Sequence, residues 1–154
     1  MRRCILFLAS GGFVGYIPVA SGTFGTLVAI PIYWLFDPWR HMSVALYLLT
    51  WIAAVALACL IADRAEALLD EHDSGVIVID EIVGYLGATL FLPPTWEHTL
   101  IAFFVFRALD VIKPYPAGAI DRRMPGGAGV VLDDVVSGLY SNVVTRILAA
   151  LFFA

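Results

Sequence analysis

Polar and apolar positions along this chain do not alternate as they would in a soluble domain. Long charge-free runs are separated by short clusters of charge. From Cys4 to Phe36 there is no charged residue, although glycines and Pro18 interrupt the run as "ASGGFVGYIPVASGTFGTL". Ser43 to Ala62 is uninterrupted and close to the ~20 residues a helix needs to cross hydrocarbon; Asp63 and Arg64 end it. Val76 to Leu92 follows, bounded by Gly75 and Pro93-Pro94, then Thr99 to Ile112, stopped by Pro114, then Gly129 to Phe153. The pattern predicts an all-α membrane protein. It has a bundle of about four transmembrane helices plus a re-entrant or interfacial N-terminal segment. The short Phe24 to Phe36 stretch, which contains Pro31, is kinked or joined to that segment. No repeat or linker divides residues 1–154, so a single domain is expected.

Composition supports lipid as the solvent. The chain has 154 residues, 61% of them hydrophobic and 14% charged, against about 45–50% and about 25% in ordinary soluble domains. A short soluble chain could not hide that much apolar surface. These values argue against a soluble globule, a disordered chain and a nucleic-acid binder. Cys4 and Cys59 lie in apolar runs without metal-like spacing and read as small core hydrophobes.

Charge then fixes an expected orientation. With the N-terminus in the cytoplasm, Arg2, Arg3, Arg64, Lys113, Arg122 and Arg123 are cytoplasmic, and Arg40 is the one basic residue in an outer loop, as the positive-inside rule requires. Arg146 falls near the outer end of the last span. This topology gathers Asp80, Glu81, Asp110, Asp133 and Asp134 at one cytoplasmic depth, together with Arg107 and Lys113. A carboxylate within the bilayer is costly. Pairing with two bases leaves a surplus of negative charge, which a divalent cation with hard oxygen ligands neutralises. All five acids are therefore candidate metal ligands, and Arg107 and Lys113 candidate holders of an anionic substrate. Each acidic pair lies near a helix N-terminus, where the dipole favours anions. Neighbours point about 100° apart, so a pair can serve a metal and a second metal or a water. Gly84 and Ala88 form a small-residue strip suited to close helix packing.

Three loops carry further candidates. "SGTFGT" (Ser21 to Thr26) is either a phosphate cradle at a helix start, with Thr23 as a donor, or a flexible turn capped by Thr23. "EHDSG" (Glu71 to Gly75) places His72 and Asp73 shortly before the first acidic pair; His72 is either solvated or a proton donor or metal neighbour. "DRRMPGGAG" (Asp121 to Gly129) brings Arg122 and Arg123 to the cytoplasmic face, as positive-inside anchors or as contacts to lipid phosphate.

The blocks "SGTFGTLVAIP" (Ser21 to Pro31), "VIVIDEIVGYLG" (Val76 to Gly87), "FRALDVIKPYP" (Phe106 to Pro116) and "DRRMPGGAGVVLDDVVSG" (Asp121 to Gly138), in this order, resemble those of the bacterial phosphatidylglycerophosphatase A family. The resemblance implies a magnesium-dependent phosphatase of the bacterial cytoplasmic (inner) membrane. Such an enzyme converts phosphatidylglycerophosphate into phosphatidylglycerol, its phospholipid substrate lying in the cytoplasmic leaflet. By position it implies site roles for Asp80, Glu81, Arg107, Asp110, Lys113, Asp121, Asp133 and Asp134, with His72 and Asp73 fitting the loop before the first pair. It leaves open one metal or two, and water or aspartate as nucleophile. The competing class is a small cation-conducting or cation-transport protein that uses the same acidic layer. Against it stands the lack of polar residues in the outer halves of the spans, Arg146 apart.

Overall fold

The computed structural model describes residues 2–153, and the side chains of residues 37–42, Arg40 among them, lie outside the described residues. The chain is helical throughout, with no strand among the described residues. The elements are α1 (Arg2–Ala9), a 3-10 turn (Val14–Tyr16), α2 (Ser21–Met42), α3 (Val44–Leu69), α4 (Ile79–Ala88), α5 (Trp96–Ile112), α6 (Ala117–Arg123) and α7 (Gly127–Phe153).

Helices α3 and α7 are long and apolar enough to cross a membrane. Ser43 caps α3 by accepting from Leu46 N, and Thr95 caps α5 by accepting from His98 N, each satisfying a donor that the first turn leaves over. α2 begins at Ser21 and continues past Pro31, so the glycine-rich "SGTFGT" stretch is the first turn of a helix rather than a loop before one. The expected span from Val76 to Leu92 is different. Its helix, α4, has ten residues, about 15 Å at 1.5 Å each, half the hydrocarbon thickness. Among the described residues two helices, α3 and α7, are both long and apolar enough for a full crossing, so the expected count of four spans is not confirmed. Cys59 is half-buried, as a packing residue should be, whereas Cys4 is exposed.

A helix that stops at this depth leaves carbonyls without partners, and lipid offers none. Side chains from other helices supply them. Asn142 Nδ2 donates to Ala88 O and Leu90 O, both at 2.9 Å, and Arg146 Nη2 donates to Leu90 O at 2.8 Å. The Tyr33 hydroxyl reaches Leu92 O and Pro93 O. Arg146, which the sequence places near the outer end of the last span, is therefore a cap at the negative end of the α4 dipole.

α7 is the central element and packs on α3, α4, α5 and α6. Its approach to α4 depends on two glycines. A Cβ at Gly138 would strike the Gly84 carbonyl, and one at Gly84 would meet Asp134 O and the Phe106 ring. Gly127 packs in the same way onto the Cys59 carbonyl and Asp63 N of α3. Tyr85, Ala88, Ala102 and Phe106 fill the space between α4 and α5, and Val83, Val130, Val131 and Val135 that between α4, α3 and α7. Leu49, Leu57, Leu60, Phe104, Val111 and Leu151 face outward, an apolar exterior far beyond what soluble monomers carry.

Replacing Gly84 with Leu forces α4 off α7. It is expected to destabilise the purified protein by at least the roughly 1–3 kcal/mol typical of overpacking, read as a lower melting temperature in detergent. Ala53→Leu, on the exposed face of α3, leaves the melting temperature unchanged.

Candidate active site

The acidic residues meet where four helix ends converge. The first turn of α4 carries Asp80 and Glu81. α7 carries Asp133 and Asp134 shortly after its start, α5 contributes Arg107 and Asp110 near its end, and α2 begins beside them. One carboxylate oxygen each from Asp80, Glu81 and Asp134 lies within 4.8 Å of the other two. Asp80 and Asp134 are only 7% and 3% exposed. Asp80 Oδ1, Glu81 Oε2 and Asp134 Oδ2 are buried and have no hydrogen-bond partner.

Cationic compensation at this cluster is thin. Arg107 Nη1 lies 2.6 Å from Asp110 Oδ2 and 3.8 Å from Glu81 Oε1. The Asp110 contact is an ion pair by distance whose N–H is not aligned as a hydrogen bond. Asp110 is itself buried and within electrostatic reach of Asp134 and Glu81. Four carboxylates thus share one guanidinium. Buried carboxylates with orphaned oxygens this close together match the needs of a small hard cation, which takes oxygen ligands from a few carboxylates and keeps waters of its own. The donor set fits a hard divalent cation.

Asp133 belongs to a different group. Lys113 Nζ sits 2.6 Å from Asp133 Oδ2 and 2.6 Å from Asp121 Oδ1, so the lysine ties the end of α5 to α6 and α7. Burial alone would lower the Lys113 pKa, but its hydrogen bonds to Asp121 and Asp133 outweigh this and hold it above the usual lysine range. The single expected layer is therefore split in two. Adjacent residues on a helix diverge by about 100°, and this sends Asp134 to the cluster and Asp133 to Lys113.

The remaining candidates surround the cluster. Gly22, in the first turn of α2, packs directly on the Glu81 carboxylate with Arg107 alongside, and any Cβ there would collide with Glu81. The positive end of α2 therefore faces the site. Thr23 is half-buried one residue on, its N–H bonded to Ala20 O. His72 is exposed, with Nδ1 2.5 Å from Glu66 Oε1; Asp73 N donates to the same oxygen, and the Asp73 carboxylate is within electrostatic reach of Asp80. Arg122 and Arg123 are exposed on the last turn of α6, away from the cluster. Sequence reasoning missed Gly22 and Glu66. Gly22 was visible only as part of a glycine-rich stretch. Glu66 had no signal at all, because its role comes from a turn that folds the chain back onto it.

Comparison with known proteins covers these same residues. The profile of the family described as phosphatidylglycerophosphatase A matches residues 7–149. Phosphatidylglycerophosphatase A of Escherichia coli (strain K12) is 36% identical over 138 residues, covering 87% of this chain and 77% of that protein. The protein of the same name from Haemophilus influenzae is 31% identical over 141 residues, covering 91% and 85%. A Bacteroides thetaiotaomicron protein, provisionally named a phosphatidylinositol-3-phosphatase, is 30% identical over 151 residues, covering 92% and 91%. No solved structure matches.

A cation that binds only the folded protein raises its melting temperature. Magnesium is expected to do so here. Asp134→Asn or Asp80→Asn removes the magnesium-dependent rise, and Asp133→Asn, on the Lys113 tie, retains it. Thermal melts with and without magnesium check all three.

Proposed function

Because the chain belongs to the phosphatidylglycerophosphatase A family, we propose that it hydrolyses the terminal phosphate of phosphatidylglycerophosphate, leaving phosphatidylglycerol, at the cytoplasmic face of a bacterial inner membrane. The observation that carries this reading is the family match across residues 7–149, which takes in every member of the buried acidic cluster. The multi-pass topology with a cytoplasmic N-terminus is read from the basic residues: Lys113 ends α5 beside the site, and Arg122 and Arg123 end α6 just before α7 begins.

In this reading Asp80, Glu81 and Asp134 hold magnesium, with Asp110 beside them and Asp133 held back by Lys113. Magnesium bound there supplies Lewis-acid polarisation of the phosphoryl oxygens and acidification of a water. Arg107, already between Glu81 and Asp110, turns its guanidinium to the charge that builds on the phosphoryl oxygens. The Gly22 amide, in the first turn of α2, and the Thr23 hydroxyl present donors to the same group. Lys113 reaches phosphate only by leaving Asp121 or Asp133, so its larger contribution is to hold α5, α6 and α7 in register. His72 gives a proton to the departing glycerol oxygen. Arg122 and Arg123 rest against anionic headgroups. The acyl chains of the substrate remain in the bilayer.

One observation favours the cation-transport alternative. Ser137, Ser141 and Thr145 are fully buried, their hydroxyls lack partners, and they continue along α7 from Asp133 at one-turn intervals. The outer half of the bundle therefore has more polar groups than Arg146 alone. A conducting pathway must be polar along its length, and here these unpartnered hydroxyls all lie on one helix.

Purified protein in mixed micelles is expected to release inorganic phosphate from phosphatidylglycerophosphate when magnesium is present and to stop on chelation. Phosphatidylinositol 3-phosphate as substrate separates the two activities named among the relatives. Metal-dependent ion flux in liposomes without phosphate release would replace this reading with the transport one.

A further inference from the structure

The loop between α3 and α4 holds a pairing that the cluster chemistry does not use. Glu66 lies near the end of α3, and its backbone carbonyl accepts from Asp70 N and Glu71 N as the helix closes. Its side chain then binds the loop it has just released. Oε1 accepts from Asp73 N at 2.8 Å and lies 2.5 Å from His72 Nδ1. The Glu66 side chain is 11% exposed, whereas that of His72 is 59% exposed. A simple surface ion pair would leave both partners open to water and screened. Here the carboxylate is shielded and the imidazole faces out. Further along, Ile77 N bonds to Ser74 O and Val78 N to Ala9 O, and Gly75 lies near the Ser21 side chain at the start of α2. The loop therefore borders the rim of the acidic site, with Asp73 within electrostatic reach of Asp80.

We infer that Glu66 is a positioning residue for the reaction: it takes the Nδ1 side of His72 and so directs Nε2 to the leaving-group oxygen of a phosphate monoester bound at the acidic cluster. This rests on the lipid-phosphatase reading above. A carboxylate on one imidazole nitrogen fixes the ring's orientation and settles which nitrogen is available for chemistry. The need is chemical, because an alkoxide is a poor leaving group and a proton delivered in the transition state lowers its barrier. In the step itself the bond from phosphorus to the glycerol oxygen breaks and one from phosphorus to a water oxygen forms. The glycerol oxygen takes the Nε2 proton of the imidazolium. The attacking water gives its proton to a site carboxylate and then to solvent, and solvent reprotonates the ring. Nothing is oxidised or reduced. Asp73, tied to the same Glu66 oxygen through its N–H, keeps the loop at a constant distance from Asp80.

The test is a double-mutant cycle on kcat for phosphatidylglycerophosphate at saturating magnesium. His72→Ala lowers kcat by roughly 100-fold, the low end for a lost general acid. Glu66→Ala lowers it by roughly 10-fold with KM unchanged, and Glu66→Gln recovers most of that, since its amide oxygen still accepts from Nδ1–H and from Asp73 N. In the His72→Ala background Glu66→Ala has no further effect, as expected for residues that act as a unit. A Glu66→Ala loss that persists in full in that background overturns the inference, because Glu66 would then act on the loop and not through the ring. Wild-type turnover in His72→Ala overturns it as well. An independent readout needs no variant: ¹⁵N spectra of the His72 ring in the wild-type protein place a hydrogen on Nδ1, and a bare Nδ1 would overturn the inference. Wild-type protein that releases no phosphate removes the lipid-phosphatase reading, and this inference with it.

Discussion

Four buried carboxylates around one guanidinium make up the constraint on which the rest of this structure depends. An ion taken out of water loses several kcal/mol of solvation even after relaxation, and like charges at this spacing add to the cost. The fold lowers that cost in the ways open to a helical bundle. The acids of α4 sit in its first turn, where its dipole favours negative charge, and the first turn of α2 is brought against Glu81 by the absence of a side chain at Gly22. Arg107 lies between two of the carboxylates. What these leave uncompensated a divalent cation would meet, and the orphaned oxygens of Asp80, Glu81 and Asp134 are its candidate ligand positions.

A second constraint follows from placing those acids on a short helix. α4 must end inside the bundle, and its last carbonyls cannot turn to lipid. Asn142 and Arg146 on α7 and Tyr33 on α2 accept this burden. The same helix thus has anions at its positive end and a cation at its negative end, both supplied within the bundle. α7 serves both ends, with Asp134 at the site and Asn142 and Arg146 at the cap, and Gly138 between them brings the two backbones together. The link from packing to chemistry is direct here, because moving α7 off α4 would move Asp134 off Asp80.

Much of this was legible in the chain. Charge-free runs marked the helices, and a surplus of acids inside those runs marked the site. The ordered blocks around Asp80-Glu81, Arg107-Asp110 and Asp133-Asp134 pointed to the family that the comparisons then showed. Helix reach was less legible. Hydropathy counts apolar residues and does not register that Thr89 to Pro94 leave the helix, with Thr89, Leu90 and Leu92 still buried, so α4 read as a full span. The grouping of the acids was not legible either. Asp133 and Asp134 are neighbours of the same type, and only the places where α5 and α6 end decide which one meets Lys113.

By itself the sequence determined the helical class, the family and the set of charged residues that must find partners, and it pointed to lipid as the solvent. These follow from composition, period and local order, which are properties of the chain before it folds. Only the tertiary structure decided who the partners are. Asp134 joins Asp80 and Glu81, Asp133 joins Lys113 and Asp121, Glu66 takes His72, and Arg146 turns inward to a carbonyl. The reason is physical. Charge and hydrogen-bond energies depend on separations of a few ångströms, and those separations are set by how glycine-lined helices pack, not by spacing along any one helix.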